Sequence, residues 1–208
     1  MLNIKTMSVK LWYKHLLEVQ VTHSEPEDPS ALVPCRVERL APGIDWGRSW
    51  LAVCIPGLTP EMRSFLWKML HCILPTQERL HRMNMPNAPS PLCVQCTEGK
   101  LDDIEHALLR CNKIKPGADF LLETLKSEIP DITFERIKYL DFRSEDLLVP
   151  TYLTAATLSQ LWSSRSCTRN LSWNSVRANV EQSILTLRKS RFASAASKLQ
   201  QICGMSMY

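Results

Sequence analysis

The strongest hydrophobic pattern in the chain lies between residues 59 and 83. Apolar side chains recur there at the spacing of one helix face, at Met62, Phe65, Leu66, Met69, Leu70 and Ile73. Thr59 is a suitable N-cap, and Pro60 fits the first helical position. We expect Pro75 to end this helix and Thr76 to begin a second one that runs through Met83. The pattern therefore predicts a helical hairpin with its corner at residues 74–76.

The C-terminal half also shows helical periodicity. Predicted helices span residues 118–129, 134–140, 151–165 and 173–203. The last segment contains neither glycine nor proline and predicts one long terminal helix. Because no run of alternating β-branched residues is present to build a sheet, we expect a mostly α-helical fold.

The cysteines decide the candidate chemistry. Three of the eight join a histidine in the pattern C-x2-C-x9-H-x4-C, formed by Cys93, Cys96, His106 and Cys111. Three thiolates and one imidazole are the donor set of a closed, structural Zn²⁺ site. The alternatives are a C-x-x-C redox pair, which normally sits at the start of a helix in a strand-helix setting, and a chance cluster in a cysteine-rich chain.

The sequence around these residues suits a zinc knuckle, a name we use for residues 84–111. Three prolines between residues 86 and 91 predict that the chain arrives as a loop. Asp102 or Asp103 can cap a short helix over residues 104–110 that carries His106 and delivers Cys111 at its end. The other five cysteines have apolar neighbours and are predicted to be small core residues: Cys35, Cys54, Cys72, Cys167 and Cys203.

Basic side chains are concentrated at the C-terminus. The chain has 25 basic and 21 acidic residues, a net charge of +4, but beyond residue 150 only Glu181 is acidic. The basic residues there are Arg165, Arg169, Arg177, Arg188, Lys189, Arg191 and Lys198. On the predicted terminal helix, Arg188, Arg191 and Lys198 share an arc with apolar residues, so they either rim a binding groove or extend from the edge of an ordinary core. Arg177 and Glu181 are spaced for an ion pair.

The polar side of the hairpin is a second candidate surface. It carries Trp67, Lys68, His71, Arg79 and Arg82. Basic side chains beside an aromatic ring suit contact with a nucleic-acid backbone. The alternative is a solvated face on which Trp67 packs against the next element.

Several functions are excluded by what the sequence lacks. The Asp102-Asp103 pair has Lys100 in place of the aromatic residue expected in a polymerase turn, and no P-loop, G-x-S-x-G or H-E-x-x-H motif is present. We therefore expect no enzymatic activity.

No apolar run approaches the length of about 20 residues that a membrane span requires. The start of the chain does not resemble a secretory signal, which favours an intracellular protein of the nucleus or cytoplasm.

The order of motifs between residues 36 and 115 resembles the zinc-binding domain found downstream of the polymerase in non-LTR retrotransposon reverse transcriptases. The residues that carry the resemblance are Asp45–Trp50, Phe65–His71, Leu74-Pro75-Thr76, Arg79-Leu80, Cys93, Cys96, Asp103–Leu108 and Cys111. The resemblance implies that Cys93, Cys96, His106 and Cys111 bind one zinc ion.

We therefore predict a lead-in over residues 1–57, a helical hairpin with a zinc knuckle over 58–115, and a helical region over 116–208. The expected function is nucleic-acid binding, to RNA or DNA, alongside a polymerase domain in cis or in trans. The candidate contacts are Lys68, Arg79, Arg82, Arg188, Arg191 and Lys198. The alternative is a zinc-stabilised module that binds other proteins.

Overall fold

The computed structural model describes residues 41, 43–96, 98–166, 173–188 and 192–204. This part of the chain is mostly helical, which confirms the predicted fold class. The α-helices are α1 (Trp46–Cys54), α2 (Pro60–Leu70), α3 (Gln77–Arg82), α4 (Lys115–Lys126), α5 (Phe134–Lys138), α6 (Leu148–Ser166), α7 (Trp173–Arg188) and α8 (Ala193–Ile202). A π-helical turn, His106–Arg110, precedes α4. None of the described helices is long and apolar enough to cross a membrane.

The predicted helical hairpin is formed by α2 and α3. Both helices begin at a threonine cap: Thr59 Oγ1 accepts a hydrogen bond from the Met62 amide at 3.2 Å, and Thr76 Oγ1 accepts one from the Arg79 amide at 3.3 Å. The face of α2 that was predicted to be apolar is buried. However, α2 ends at Leu70 rather than at Pro75, because Cys72 adopts a left-handed conformation with φ of 53°. The corner of the hairpin is therefore a turn over residues 71–76.

Helix α1 lies inside the segment predicted as a lead-in and was not predicted. Its N-cap is Asp45, which accepts a hydrogen bond from the Arg48 amide at 3.1 Å. Ala52 and Val53 are buried, and the helix packs against α2 and α6. With only nine residues, α1 shows too few turns for its periodicity to stand out from the sequence.

Helix α6 is the centre of the fold. Every residue from 149 to 158 is buried, so this stretch has no solvent-facing stripe. Around it lie α1, α2, the π-helical turn, α4, α7 and α8. A single hydrophobic core therefore runs through both the hairpin and the C-terminal helices. The predicted division at residues 57/58 and 115/116 stays a prediction.

The prediction of one long terminal helix was wrong. The segment forms two helices, α7 and α8, that pack on each other and on α6. A straight helix over residues 173–203 would extend about 46 Å and carry its second half away from the core. Folding back instead buries Ala196 and Leu199 as well as Val180 and Ile184.

The two-helix arrangement also changes the predicted basic arc. The arc was predicted for one continuous helix. Residues of α7 and α8 lie on two separate helices and therefore do not share one helix face. The predicted pair on α7 is confirmed, with Arg177 Nε 3.0 Å from Glu181 Oε1.

Helix α4 makes its closest approach to the core at a glycine. Pro116 and Gly117 lie in the first turn of α4, where proline is well tolerated. A methyl group on Gly117 would lie 2.8 Å from Leu161 Cδ2 and 2.9 Å from the ring of Trp173. An alanine at this position would require the side chains of Leu161 and Trp173, on α6 and α7, to move.

A Gly117→Ala variant should therefore be destabilised. We expect the overpacking cost of about 1–3 kcal/mol to exceed the gain of about 1 kcal/mol in helix propensity. The control is Gly47→Ala, since Gly47 is an exposed position of α1 where the added methyl group would meet only the side chain of Asp45, at 3.3 Å. Urea unfolding should show a lower midpoint for Gly117→Ala and an equal or higher one for Gly47→Ala; two unchanged midpoints would contradict the close packing.

Candidate metal centre

The first two cysteines lie on a loop that is closed by a short backbone pairing. Leu92 and Leu101 form an isolated antiparallel bridge, and the Cys93 amide donates a hydrogen bond to the Lys100 carbonyl at 2.8 Å. Gly99 turns the chain with a left-handed φ of 60°. The bridge brings the two ends of the loop together and points Cys93 and Cys96 inward, where both are buried.

The other two donors are held by the π-helical turn. Residues five apart on an α-helix are separated by about 140° around its axis, so an α-helix would direct His106 and Cys111 to different sides. Here the Cys111 amide donates to the His106 carbonyl at 2.9 Å, which is the i→i+5 bond of a π-helix. This local unwinding brings His106 and Cys111 to the same face. Asp103 caps the segment, as one of the two predicted candidates, by accepting the His106 amide at 2.7 Å.

The four predicted ligand atoms converge. They all lie within 4.8 Å of one another. Cys93 Sγ is 3.9 Å from Cys111 Sγ, and Cys96 Sγ is 3.4 Å from His106 Nε2. In a zinc tetrahedron these edges are about 3.8 Å for two sulfurs and about 3.6 Å for sulfur and nitrogen. A disulfide would need about 2.0 Å, so the spacing fits a shared cation and not a covalent bond.

The electrostatics of the cluster also favour a cation. Burial, together with the neighbouring thiol of Cys93, raises the pKa of Cys111 to about 11. Without a positive charge nearby, the Cys111 thiol would thus retain its proton at neutral pH. A bound Zn²⁺ stabilises thiolates directly, so the donor set and its surroundings fit this ion.

The knuckle is anchored by a buried ion pair that was not predicted from the sequence. Arg165, in the last turn of α6, pairs through Nη2 with Asp102 Oδ1. The same nitrogen is 3.5 Å from Cys93 Sγ. Burial alone would lower the pKa of the Arg165 guanidinium, but the charge of Asp102 and the thiol of Cys93 outweigh it and raise the pKa. The sequence placed Arg165 in a basic block and Asp102 as a candidate cap, and no local pattern connects them.

The remaining cysteines differ in their surroundings. Cys203 is buried as predicted, and burial raises the pKa of its thiol to about 11. The prediction of a core position is wrong for Cys54, which is exposed because it lies on the solvent side of the last turn of α1, and Cys72 is only half-buried at the hairpin corner. Cys35 and Cys167 lie outside the described residues.

The predicted nucleic-acid contacts whose side chains the structure describes lie on three different helices. Lys68 is exposed on α2. Arg79 donates to the Cys72 carbonyl at 3.1 Å, and Arg82 pairs with Glu78 at 2.7 Å, both within the hairpin. Lys198 Nζ is 2.6 Å from Glu128. The side chain of Arg188 and all of Arg191 lie outside the described residues.

An aromatic row runs beside Lys68. We use this name for Trp46, Trp50, His71 and Trp67, whose successive ring centroids are 6.0, 5.2 and 4.2 Å apart. The row begins in the core and ends at Trp67, which is 44% exposed. Burial lowers the pKa of His71, so its ring is uncharged at neutral pH. Trp67 and Lys68 are both exposed on α2, and their predicted contact with nucleic acid stays a prediction.

Residues 45–116 match the family model described as zinc-binding in reverse transcriptase. This match confirms the resemblance for that segment, which contains α1, the hairpin and all four metal-ligand candidates. It ends at the start of α4 and does not include α6, α7 or α8. No curated protein and no solved structure matches the chain.

The Asp103 cap should contribute measurably to the stability of the site. Removing the acceptor in Asp103→Ala should cost about 0.5–2 kcal/mol, whereas Asp103→Asn keeps an equivalent cap. Hydrogen exchange of the amides of residues 106–111 should quicken in the alanine variant and stay close to wild type in the asparagine variant. Equal exchange in both variants would show that the cap does not hold the turn.

Proposed function

We propose that the chain is a non-catalytic module of a retroelement reverse transcriptase, held together by one structural Zn²⁺ and binding nucleic acid beside a polymerase domain. Convergence of three cysteine sulfurs and one histidine nitrogen within 4.8 Å, inside the matched segment, is the observation that supports it most strongly. The ion would be held by Cys93, Cys96, His106 and Cys111.

A structural rather than a catalytic role is inferred from the number of donors. Four protein ligands complete a tetrahedron and leave no position at which the metal could activate water. Three reduced thiols also favour a reducing compartment, the nucleus or the cytoplasm. The non-LTR origin and the polymerase, in cis or in trans, are part of the proposal and follow from the resemblance.

Nucleic-acid binding is supported by the exposed end of the aromatic row. Trp67 presents an exposed indole on the outer face of α2, and the following residue, Lys68, is exposed and has no ion-pair partner among the described residues. Bases of a single strand stack on such rings irrespective of sequence, while a lysine contacts the adjacent phosphate. Since His71 is uncharged, it supports the indole without adding charge. We therefore favour a single strand, RNA or DNA, over a duplex.

A second candidate function is protein binding. Leu92, Val94 and Leu101 are exposed on the knuckle, with Val94 at 68%, and the bridge places two of them side by side. Exposed apolar side chains in one patch are typical of protein contacts. In that case the zinc ion would only shape the surface.

The first test of this function is the metal content. Purified under reducing conditions, the protein should contain one equivalent of Zn²⁺, and Cys96→Ser should lose most of it. Cys203→Ser is the matched control, because it removes a buried thiol outside the cluster. Metal analysis by mass spectrometry that finds no zinc in folded wild-type protein would refute the proposed centre.

The second test is binding to a fluorescent single-stranded oligonucleotide. Trp67→Ala should weaken binding by about 1–3 kcal/mol through lost stacking. Lys68→Gln should make the dependence of log K on log salt shallower by about 0.7. Fluorescence anisotropy over a salt series measures both effects.

Two controls make that experiment decisive. Leu51→Ala removes another exposed apolar side chain, and Lys126→Gln removes an exposed lysine from a different helix. Both should bind as wild type does. Equal effects of all four substitutions would mean diffuse charge attraction, and no salt-dependent binding by the wild type would favour the protein-binding function.

A further inference from the structure

Arg165 occupies an unusual position for a buried arginine. It lies at the end of α6, well beyond the segment that matches the family model, yet its guanidinium reaches the metal-ligand cluster. Its side chain is 8% exposed. Nη2 contacts both Asp102 Oδ1 and Cys93 Sγ, while the Arg165 carbonyl accepts a hydrogen bond from Gln95 Nε2 at 3.1 Å. Three contacts thus join the end of α6 to the knuckle.

Asp102 is fixed from the opposite side by the hairpin. Its Oδ2 accepts the Gln77 amide at 2.8 Å, and its carbonyl accepts the Glu78 amide at 3.4 Å. Its side chain is 1% exposed and is therefore shielded from bulk water. The carboxylate therefore holds the guanidinium in one orientation, and that orientation places Nη2 against Cys93 Sγ.

The charge of the cluster gives this contact a role. Zn²⁺ with three thiolates and a neutral imidazole would carry a net charge of −1. Asp102 already balances the charge of Arg165, so the guanidinium would act on the Cys93 thiolate by donating a charge-assisted hydrogen bond. Arginine retains its proton in proteins and donates in a fixed fork geometry. Groups that hydrogen-bond to metal ligands in this way orient them and strengthen metal binding.

We propose that Arg165, oriented by Asp102, is a positioning residue that hydrogen-bonds the Cys93 thiolate and makes α6 part of the zinc-binding unit. The proposal rests on the proposed zinc centre and extends it to a residue of the C-terminal region. Zinc binding and docking of the end of α6 are then coupled.

The test compares two buried arginines. Arg165→Gln removes the charge next to the cluster. Arg136→Gln removes a buried arginine of α5 that pairs with Asp131 at 2.5 Å. Each variant is loaded with Zn²⁺, and transfer of the metal to a chromophoric chelator is followed over time. We expect at least about tenfold faster release from Arg165→Gln, as is typical when a partner of a metal ligand is lost, and wild-type release from Arg136→Gln. Equal rates for the two variants would overturn the proposal.

A spectroscopic measurement separates positioning from general loosening of the fold. With Co²⁺ in place of Zn²⁺, the sulfur-to-metal charge-transfer band should shift in Arg165→Gln and return toward wild type in Arg165→Lys, which restores the charge. An unchanged band in Arg165→Gln would contradict a contact with the thiolate. A wild-type protein that binds neither metal would instead refute the zinc centre itself.

Wild-type protein provides the test if Arg165→Gln does not fold. Zinc loading should slow hydrogen exchange at residues 161–165. Helix α8, whose described residues form no hydrogen bond or ion pair with the cluster, should exchange at the same rate with and without zinc. No zinc-dependent change at residues 161–165 would overturn the coupling.

Discussion

The rest of the site depends on the meeting of four donor atoms, two of which come from a loop that has little else to hold it. Between residues 84 and 102, the buried side chains are Ala88, Cys93, Cys96 and Asp102. Two of these are candidate metal ligands and one is a carboxylate, so burial of apolar surface contributes little to folding of the described part of this loop. In small segments of this kind, metal binding supplies free energy that a hydrophobic core supplies elsewhere.

Helix α6 connects this metal-dependent region with a conventional core. Its middle is enclosed by apolar contacts on all sides, and its last turn ends at the knuckle. A rigid, fully packed helix is a good support for a polar group that must be placed accurately, because its position is fixed by many contacts far from the site. The segment that matches the family model and the C-terminal helices are therefore joined both by the hydrophobic core and by the ion pair between Arg165 and Asp102.

The sequence predicted the elements whose signals are local. Thr59 and Thr76 cap helices in the structure as their positions suggested, and the spacing of Cys93, Cys96, His106 and Cys111 identified side chains that do converge. Features that depend on partners far apart in the chain could not be predicted from the sequence. Arg165 and Asp102 are 63 positions apart, and neither has a neighbour pattern that reveals the other.

The errors in helix bounds have a similar origin. Helix propensity allowed a continuous helix over residues 173–203, but the core favours two helices folded against α6. Likewise, Lys198, which is 42% exposed, could be assigned to a face only after the division into two helices was known. Lys198 lies near Glu128 because α8 folds back, which no periodicity within the helix indicates.

The π-helical turn sets different tolerances for length change on the two sides of the cluster. Loops absorb inserted residues at small entropic cost, so the stretch between Cys96 and Asp103 can vary in length as long as its ends remain paired. Between His106 and Cys111 there is no such freedom, because the donors are in register only through the i→i+5 bond. Inserting or deleting a single residue there would rotate Cys111 away from its partners, even though every ligand would still be present in the sequence.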